Sequence, residues 1–345
     1  MKITLLLPLL LLLLLVLAGV FLLPVTVWKS QTDSPSPALS PALRTTVRLI
    51  PNDHWHTWGN ETGGLHLCDW AHDIESKLCR NASTNALVKM GQYLRESRKG
   101  EPFPPQNPFH HSAAKIKDCT VKRYGEISGY HFVCNNLRPV NTSCVFYAYG
   151  VSSDWTFDDE LSRSWDCRGI LMDPSVNYKA ILTERLLFFS LGATMLRGER
   201  GGAGAWQGEV DPNGWLTAAP SELMRMLGHE SIAVLKMDCE GCEYAIVPDL
   251  VRSNPDFFKS VTQFAVEVHL SRNWIKSPQH TFNLGMLFHI LFKEGYYLVA
   301  ADIGACAPAD ESKGCPSELT DLSFPCGQRQ MCQEYTFARL LLLDT

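Results

Sequence analysis

"CVFYAYGVSSDWTFDDELSRSWDCRGILMDPS" (144–175) holds the unit from which the rest of the chain can be read. Residues 144–150 form a short apolar run closed by glycine, the pattern of a strand buried on both faces of a parallel sheet. Acidic residues come early in the next stretch and Trp155, Leu161 and Trp165 follow at helical spacing, which predicts a helix starting near Ser153–Thr156. "CRGILMD" (167–173) is a second strand, ending in Asp and Pro. Strand, helix, strand is the repeating unit of a parallel sheet.

Downstream the unit recurs. "RLLFFSLGA" (185–193) reads as a third strand, "APSELMRMLGH" (219–229) as a helix opened by Pro220, and "SIAVLKMD" (231–238) as a fourth strand. "VTQFAVEVHL" (261–270) is the fifth, "FNLGMLFHILFKEG" (282–295) a helix closed by Gly295, and 296–305 and 335–343 are the last two strands. This alternation predicts a doubly wound α/β sheet of seven strands. No helical pattern separates the last two, so they should form a terminal antiparallel pair. Upstream, apolar spacing at Leu87, Met90 and Leu94 predicts one or two helices between Asp69 and Arg98, and "EPFPPQNPFHH" (101–111) breaks regular structure with its prolines. Residues 29–50 are rich in Ser, Pro and Thr and cannot support a core. The expected organisation is a membrane segment over 1–28, a stem over 29–65, a helical and irregular extension over 66–143, and the α/β domain over 144–345.

The chain has 345 residues, 46% hydrophobic and 19% charged, with 31 basic and 36 acidic residues and a net charge of −5. That balance is globular, and without a dense Lys/Arg cluster nucleic acid is not an expected partner. Leu5 to Val27 is uncharged and Leu-rich. As a helix it would span roughly 34 Å, enough for a hydrocarbon core of about 30 Å. A cleaved signal would have a shorter apolar core and a polar mature start, so an uncleaved signal-anchor is favoured, with secretion after cleavage as the alternative. Twelve cysteines, none at zinc-ribbon spacing, and Asn-x-Ser/Thr sites at Asn60, Asn81 and Asn141 suit an oxidising compartment. The expected product is a single-pass type II membrane protein whose body lies in the ER or Golgi lumen.

Open α/β sheets bind ligands beyond the carboxyl ends of their strands. Those ends carry Gly150, Asp173, Asp238, Glu267 and His269. A carboxylate ending the second strand can accept both ribose hydroxyls of a nucleoside cofactor, though Asp-Pro also starts a plain turn. A glycine ending the first strand lets a ligand approach the backbone, and the next helix offers its N-terminus to an anion.

"VLKMDCEGCEYAIV" (234–247) resembles the Leu-Lys-Ile-Asp-x-Glu-Gly-x-Glu signature of FkbM-like S-adenosylmethionine-dependent methyltransferases. The stretch 144–300 is similar to the methyltransferase-like protein 24 family, whose members also carry an N-terminal hydrophobic segment. "FYAYGVSSDWTFDDEL" matches that family's first motif, with one glycine where typical methyltransferases have Gly-x-Gly-x-Gly. "CRGILMDPS" matches the second, and "QFAVEVHL" the fifth strand. The resemblance implies a class I, Rossmann-like methyltransferase sheet using S-adenosyl-L-methionine, with Gly150, Asp173 and Asp238 at the cofactor. Glu240 and His269, at neighbouring strand ends, are the candidates for the base or for substrate contact, with a hydrogen-bonded structural histidine as the alternative for His269. For Glu243, on the following helix, the expected role is an interaction with the N-terminal dipole of that helix. The methyl acceptor is open: a small molecule, a glycan or a protein. No metal site is expected.

Two other readings are a type II Golgi glycosyltransferase, which the anchor-stem-domain layout favours but which lacks any Asp-x-Asp motif, and a non-catalytic binding protein on a methyltransferase scaffold. Cys239-x-x-Cys242 has the spacing of a thioredoxin-like redox pair, but its place late in the strand pattern argues for a structural role. The Gly-rich stretch 197–214 lacks the ending of a phosphate loop, and His54 and His56 have no further ligand spacing. The C-terminal cysteines should tether a long loop, most simply as Cys306–Cys315 and Cys326–Cys332.

Overall fold

In the computed structural model the described residues are 77–97, 119–126, 129–139, 144–193, 218–247, 254, 256–272, 274–275, 277–303, 315–322, 324–326 and 332–339. All lie in one compact unit, 52–345. Leu5–Val27, the stem, Asn60, Asn141, the Gly-rich 197–214, His54 and His56 fall outside the described residues, and no helix among those described is long and apolar enough to cross a membrane.

Runs of mainly apolar residues become the sheet interior. Five strands are parallel: β3 (Val145–Tyr149), β4 (Arg168–Met172), β5 (Leu186–Phe189), β6 (Ile232–Met237) and β7 (Val261–His269). Two more follow, β8 (Tyr296–Ile303) and β9 (Cys332–Arg339), and the spatial order is β5-β4-β3-β6-β7-β9-β8. The doubly wound seven-stranded sheet is therefore present. β8 and β9 do pair antiparallel, but β9 also inserts antiparallel to β7, so β8 forms the edge and β9 is the single reversed strand.

Outside the sheet, β1 (Val121–Tyr124) and β2 (His131–Cys134) make a two-stranded ribbon in the segment expected to be helical and irregular. It is tied to the sheet: Gln263 on β7 accepts from the Cys134 N–H at 2.7 Å and donates to its carbonyl at 3.1 Å, and His131 pairs with Glu334 of β9 at 2.7 Å. The helix α1 (Lys77–Ser97) buries Cys79, Ala86, Leu87, Met90 and Leu94 in the same core as the long helix α5 (Pro278–Lys293). Ser83 donates to the Phe282 carbonyl at 2.9 Å, and a Cβ on Gly285 would stand 2.2 Å from the Ser83 hydroxyl, so the two helices meet at glycine distance. The remaining helices are α2 (Thr156–Trp165), α3 (Pro220–Leu227), the short α4 (Cys242–Ala245) and α6 (Ser317–Asp321). Asp158, an acid of the first turn of α2, is fully buried and its pKa is pushed up to about 6 by burial, against the pull of Lys236 and His131.

Among the described residues the disulfides are Cys119–Cys134, Cys144–Cys167, Cys239–Cys242 and Cys315–Cys326. The last one corrects both expected C-terminal pairs. The turn that closes α6 folds Phe324 back onto the Leu319 carbonyl at 2.9 Å and brings Cys326 to Cys315, with Cα atoms 5.9 Å apart. Cys332 is drawn away as the first residue of β9, opposite His269, where it too is disulfide-bonded.

Candidate active site

The carboxyl ends of β3, β4 and β6 open on a cavity of about 270 Å³, whose lining includes Gly150, Ser152, Asp173, Asp238, Cys239, Glu240 and Cys242. It contains four of the five expected site residues. His269 is not in the lining; it is buried behind it.

Gly150 has φ 76°, and a Cβ there would lie 1.5 Å from the Asp238 carbonyl oxygen. Glycine is thus demanded by the neighbouring strand end. The contact is reinforced on both sides: the Gly150 N–H donates to Met172 at 2.9 Å and the Asp238 N–H to Tyr149 at 3.0 Å. Ser152 follows with φ 48°, taking the left-handed position that a second glycine would hold in a glycine-rich turn. Its N–H donates to Asp173 Oδ2 at 2.7 Å, while Ser175 donates to Oδ1 through its N–H at 2.8 Å and its hydroxyl at 2.6 Å. Asp173 therefore makes both the turn and the cavity wall. Oδ2 takes one of these donors where Oδ1 takes two, so it keeps a lone pair for a further bond. At the start of α2, the Thr156 N–H donates to Asp154 Oδ1 at 3.0 Å, so that donor is engaged by the chain's own carboxylate.

Lys236 is a cation in the middle of an apolar strand. Its side chain is buried, donates to the Gly150 carbonyl at 2.9 Å and lies 3.9 Å from Asp238 Oδ2. Burial opposes the charge on Asp238, but Lys236 and a hydrogen bond from Glu267 hold its pKa below the ordinary carboxylate value. The same pairing works in reverse on Glu267: burial and the adjacent Asp238 push it far up, so it keeps its proton and donates it to Asp238.

Behind the cavity, Glu243 of α4 is fully buried and does more than face a helix dipole. One oxygen accepts the Gly241 N–H at 2.9 Å; the other accepts the His269 N–H at 2.8 Å and faces His269 Nδ1 at 3.2 Å. His269 Nε2 lies 3.7 Å from Glu267, and its ring packs 4.7 Å from Trp274. Burial disfavours the imidazolium, yet Glu243, Asp238 and Glu240 together raise its pKa to about 9. Glu240 itself is exposed at the cavity mouth with φ 54°. Partial desolvation there, with Asp238, Glu243 and Asp173 nearby, raises its pKa against the pull of His269.

Sequence reasoning found the strand-end carboxylates and missed the parts that hold them. Lys236 was visible as a lone charge in "AVLKMD". The roles of Ser152 and Glu243 depend on backbone geometry and left no such signal.

No curated protein matches the chain by sequence. Among solved structures, the plantazolicin methyltransferase BpumL, in complex with a triazolic desmethylPZN analog and SAH, overlaps 78% of this chain and 88% of its own at 8% identity and a TM-score of 0.25, too slight a likeness to bear on function. A family model described as a methyltransferase domain matches residues 113–306, which takes in β1 to β8 and every residue of the cavity. That span is more than half of the 345 residues, and the chain belongs to this methyltransferase-domain family.

Proposed function

We propose that the protein is an S-adenosylmethionine-dependent methyltransferase, related to the methyltransferase-like protein 24 and FkbM-like enzymes, anchored by Leu5–Val27 with its body in the secretory lumen. The observation that carries the cofactor assignment is the charge of the cavity: Asp173, Asp238 and Glu240 line it, and no Lys, Arg or His does so among the described residues. Such a wall suits a ligand bearing a sulfonium and an ammonium and repels a diphosphate, which weighs against the glycosyltransferase reading. The fit is also geometric. Asp173 has a lone pair for a ribose hydroxyl, and the Gly150–Ser152 turn brings backbone to its side.

When bound, S-adenosylmethionine supplies a methyl group on a positively charged sulfur. The chain supplies alignment and a proton acceptor. Asp238, kept anionic by Lys236 and Glu267, takes the ammonium end of the ligand. Glu240, at the mouth and with a raised pKa, takes the proton of an acceptor hydroxyl or amine. His269 acts as a positioning residue: with its pKa at about 9 it is a cation at neutral pH, and it holds Glu243 and hence the loop carrying Glu240.

Calorimetry of the full chain against S-adenosylmethionine, S-adenosylhomocysteine and a nucleotide sugar tests this. Binding of the first two and not the third is expected; binding of the nucleotide sugar alone overturns it.

A further inference from the structure

Cys239–Cys242 stands apart from the other described disulfides. It closes a sequence separation of 3, against 15, 23 and 11 for Cys119–Cys134, Cys144–Cys167 and Cys315–Cys326. Chain-entropy stabilisation grows with loop length, so this ring adds the least to the stability of the fold. Of the four it also has both sulfur-bearing residues in the cavity wall. Inside the ring are Glu240 and Gly241, two consecutive residues with φ 54° and 105°. Glycine accepts that conformation; glutamate does so rarely. Two weaker ties share the work, the Cys242 N–H to the Cys239 carbonyl at 3.4 Å and the Gly241 N–H to Glu243 at 2.9 Å.

We infer that the Cys239–Cys242 disulfide is a positioning element of the site: by closing a ring around Glu240 and Gly241 it sets the Glu240 carboxylate at the cavity, and the cavity takes its ligand-binding form only while the pair is oxidised. The chemistry that removes it is thiol–disulfide exchange with a dithiol. One thiolate of the dithiol attacks a cysteine sulfur, breaking the Sγ–Sγ bond and expelling the other cysteine as thiolate. The second thiolate then closes the reductant's own disulfide and expels the first cysteine. Two electrons pass to the pair, and the dithiol's two protons end on Cys239 and Cys242. Freed of the ring, Glu240 relaxes from its left-handed backbone and the wall loses its preorganisation.

The ligand-binding part of this inference rests on the cofactor reading above, so the test has one arm that needs no ligand. In the full chain, Cys239→Ala/Cys242→Ala should keep a thermal midpoint close to that of the parent. Amide exchange over 238–243 should become about tenfold faster. The Glu240 carboxyl, followed by carbon NMR, should titrate closer to the ordinary value. Unchanged exchange and titration would overturn the proposal, whatever the cofactor is. In the second arm, S-adenosylhomocysteine should bind about tenfold more weakly to the variant. Dithiothreitol should bring the parent to the same affinity and leave the variant unmoved. A reductant effect equal in both proteins would assign it to the other disulfides and overturn the positioning role. Failure of the oxidised parent to bind S-adenosylhomocysteine would instead remove the cofactor reading and leave the decision to the first arm.

Discussion

Asp173 accepts from Ser152 and Ser175 and is also a residue of the cavity wall. Truncation to alanine would therefore release the turn together with any ligand contact. Asp173→Asn is milder: it keeps an acceptor for Ser175 and removes the charge together with the acceptor for the Ser152 N–H. S-adenosylhomocysteine affinity should fall by about tenfold or more, the loss of roughly 1.5–3 kcal/mol expected for a charge-assisted bond. Equal affinity in a folded variant would show that the ribose lies elsewhere. His269 offers a second test. Its pKa of about 9 in the folded protein lies above the 6.5 of the free side chain, so the folded state holds the proton more tightly. The resulting stabilisation is complete below pH 6.5 and disappears as the pH rises through 9. Glu267, also raised, acts with the same sign. The thermal midpoint should fall across that window and His269→Gln should make the decline shallower; a midpoint that rose with pH would contradict the buried ion pair with Glu243.

At the scale of elements, α1 and α5 meet where Gly285 abuts Ser83. Gly285→Ala would place a methyl 2.2 Å from the Ser83 hydroxyl and 2.6 Å from its carbonyl oxygen. The helices must part, at a cost of about 1–3 kcal/mol by the usual penalty of overpacking, measurable by denaturant unfolding. The Ser83–Phe282 hydrogen bond beside it joins residues 199 apart, and nothing in either helix announces the other. The strands were far more legible. β3, β4, β6 and β7 begin and end within a residue or two of the runs that predict them, because a strand buried on both faces is mainly apolar. Lys236 of β6 and Gln263, Glu267 and His269 of β7 are buried exceptions. β1 escaped notice for the opposite reason: "VKRY" shows three exposed residues to solvent and takes its place from its partner β2. The placement of β9 was equally hidden, since sequence order makes it β8's neighbour and does not say that it also reaches β7. Disulfide pairing failed with it. Nearness in sequence favoured Cys326–Cys332, while the sheet claimed Cys332.

For the whole molecule, a lumenal body anchored at its N-terminus should carry sugar. Asn81, within Asn-Ala-Ser, is exposed on α1. Expressed in a eukaryotic host, the full chain should gain mobility on glycosidase digestion, Asn81→Gln should remove part of that shift, and an N-terminal tag should remain on the mature protein. An unchanged band would count against the lumenal placement. The position of β9 has a bearing on how such a chain is made. A polypeptide emerges from its N-terminus at about 5–20 residues per second, and its earlier parts begin to fold before the later ones exist. Here β7 and β8 are complete long before β9, and in the finished sheet they do not touch each other's backbone but share β9 between them. Until Cys332–Arg339 arrives, the nascent body therefore has a central strand with one bare edge and a second strand with no place to pair. Any product stopped short of Cys332 is left in that state, with unpaired edges of the kind that chaperones bind and that aggregate when they are not bound.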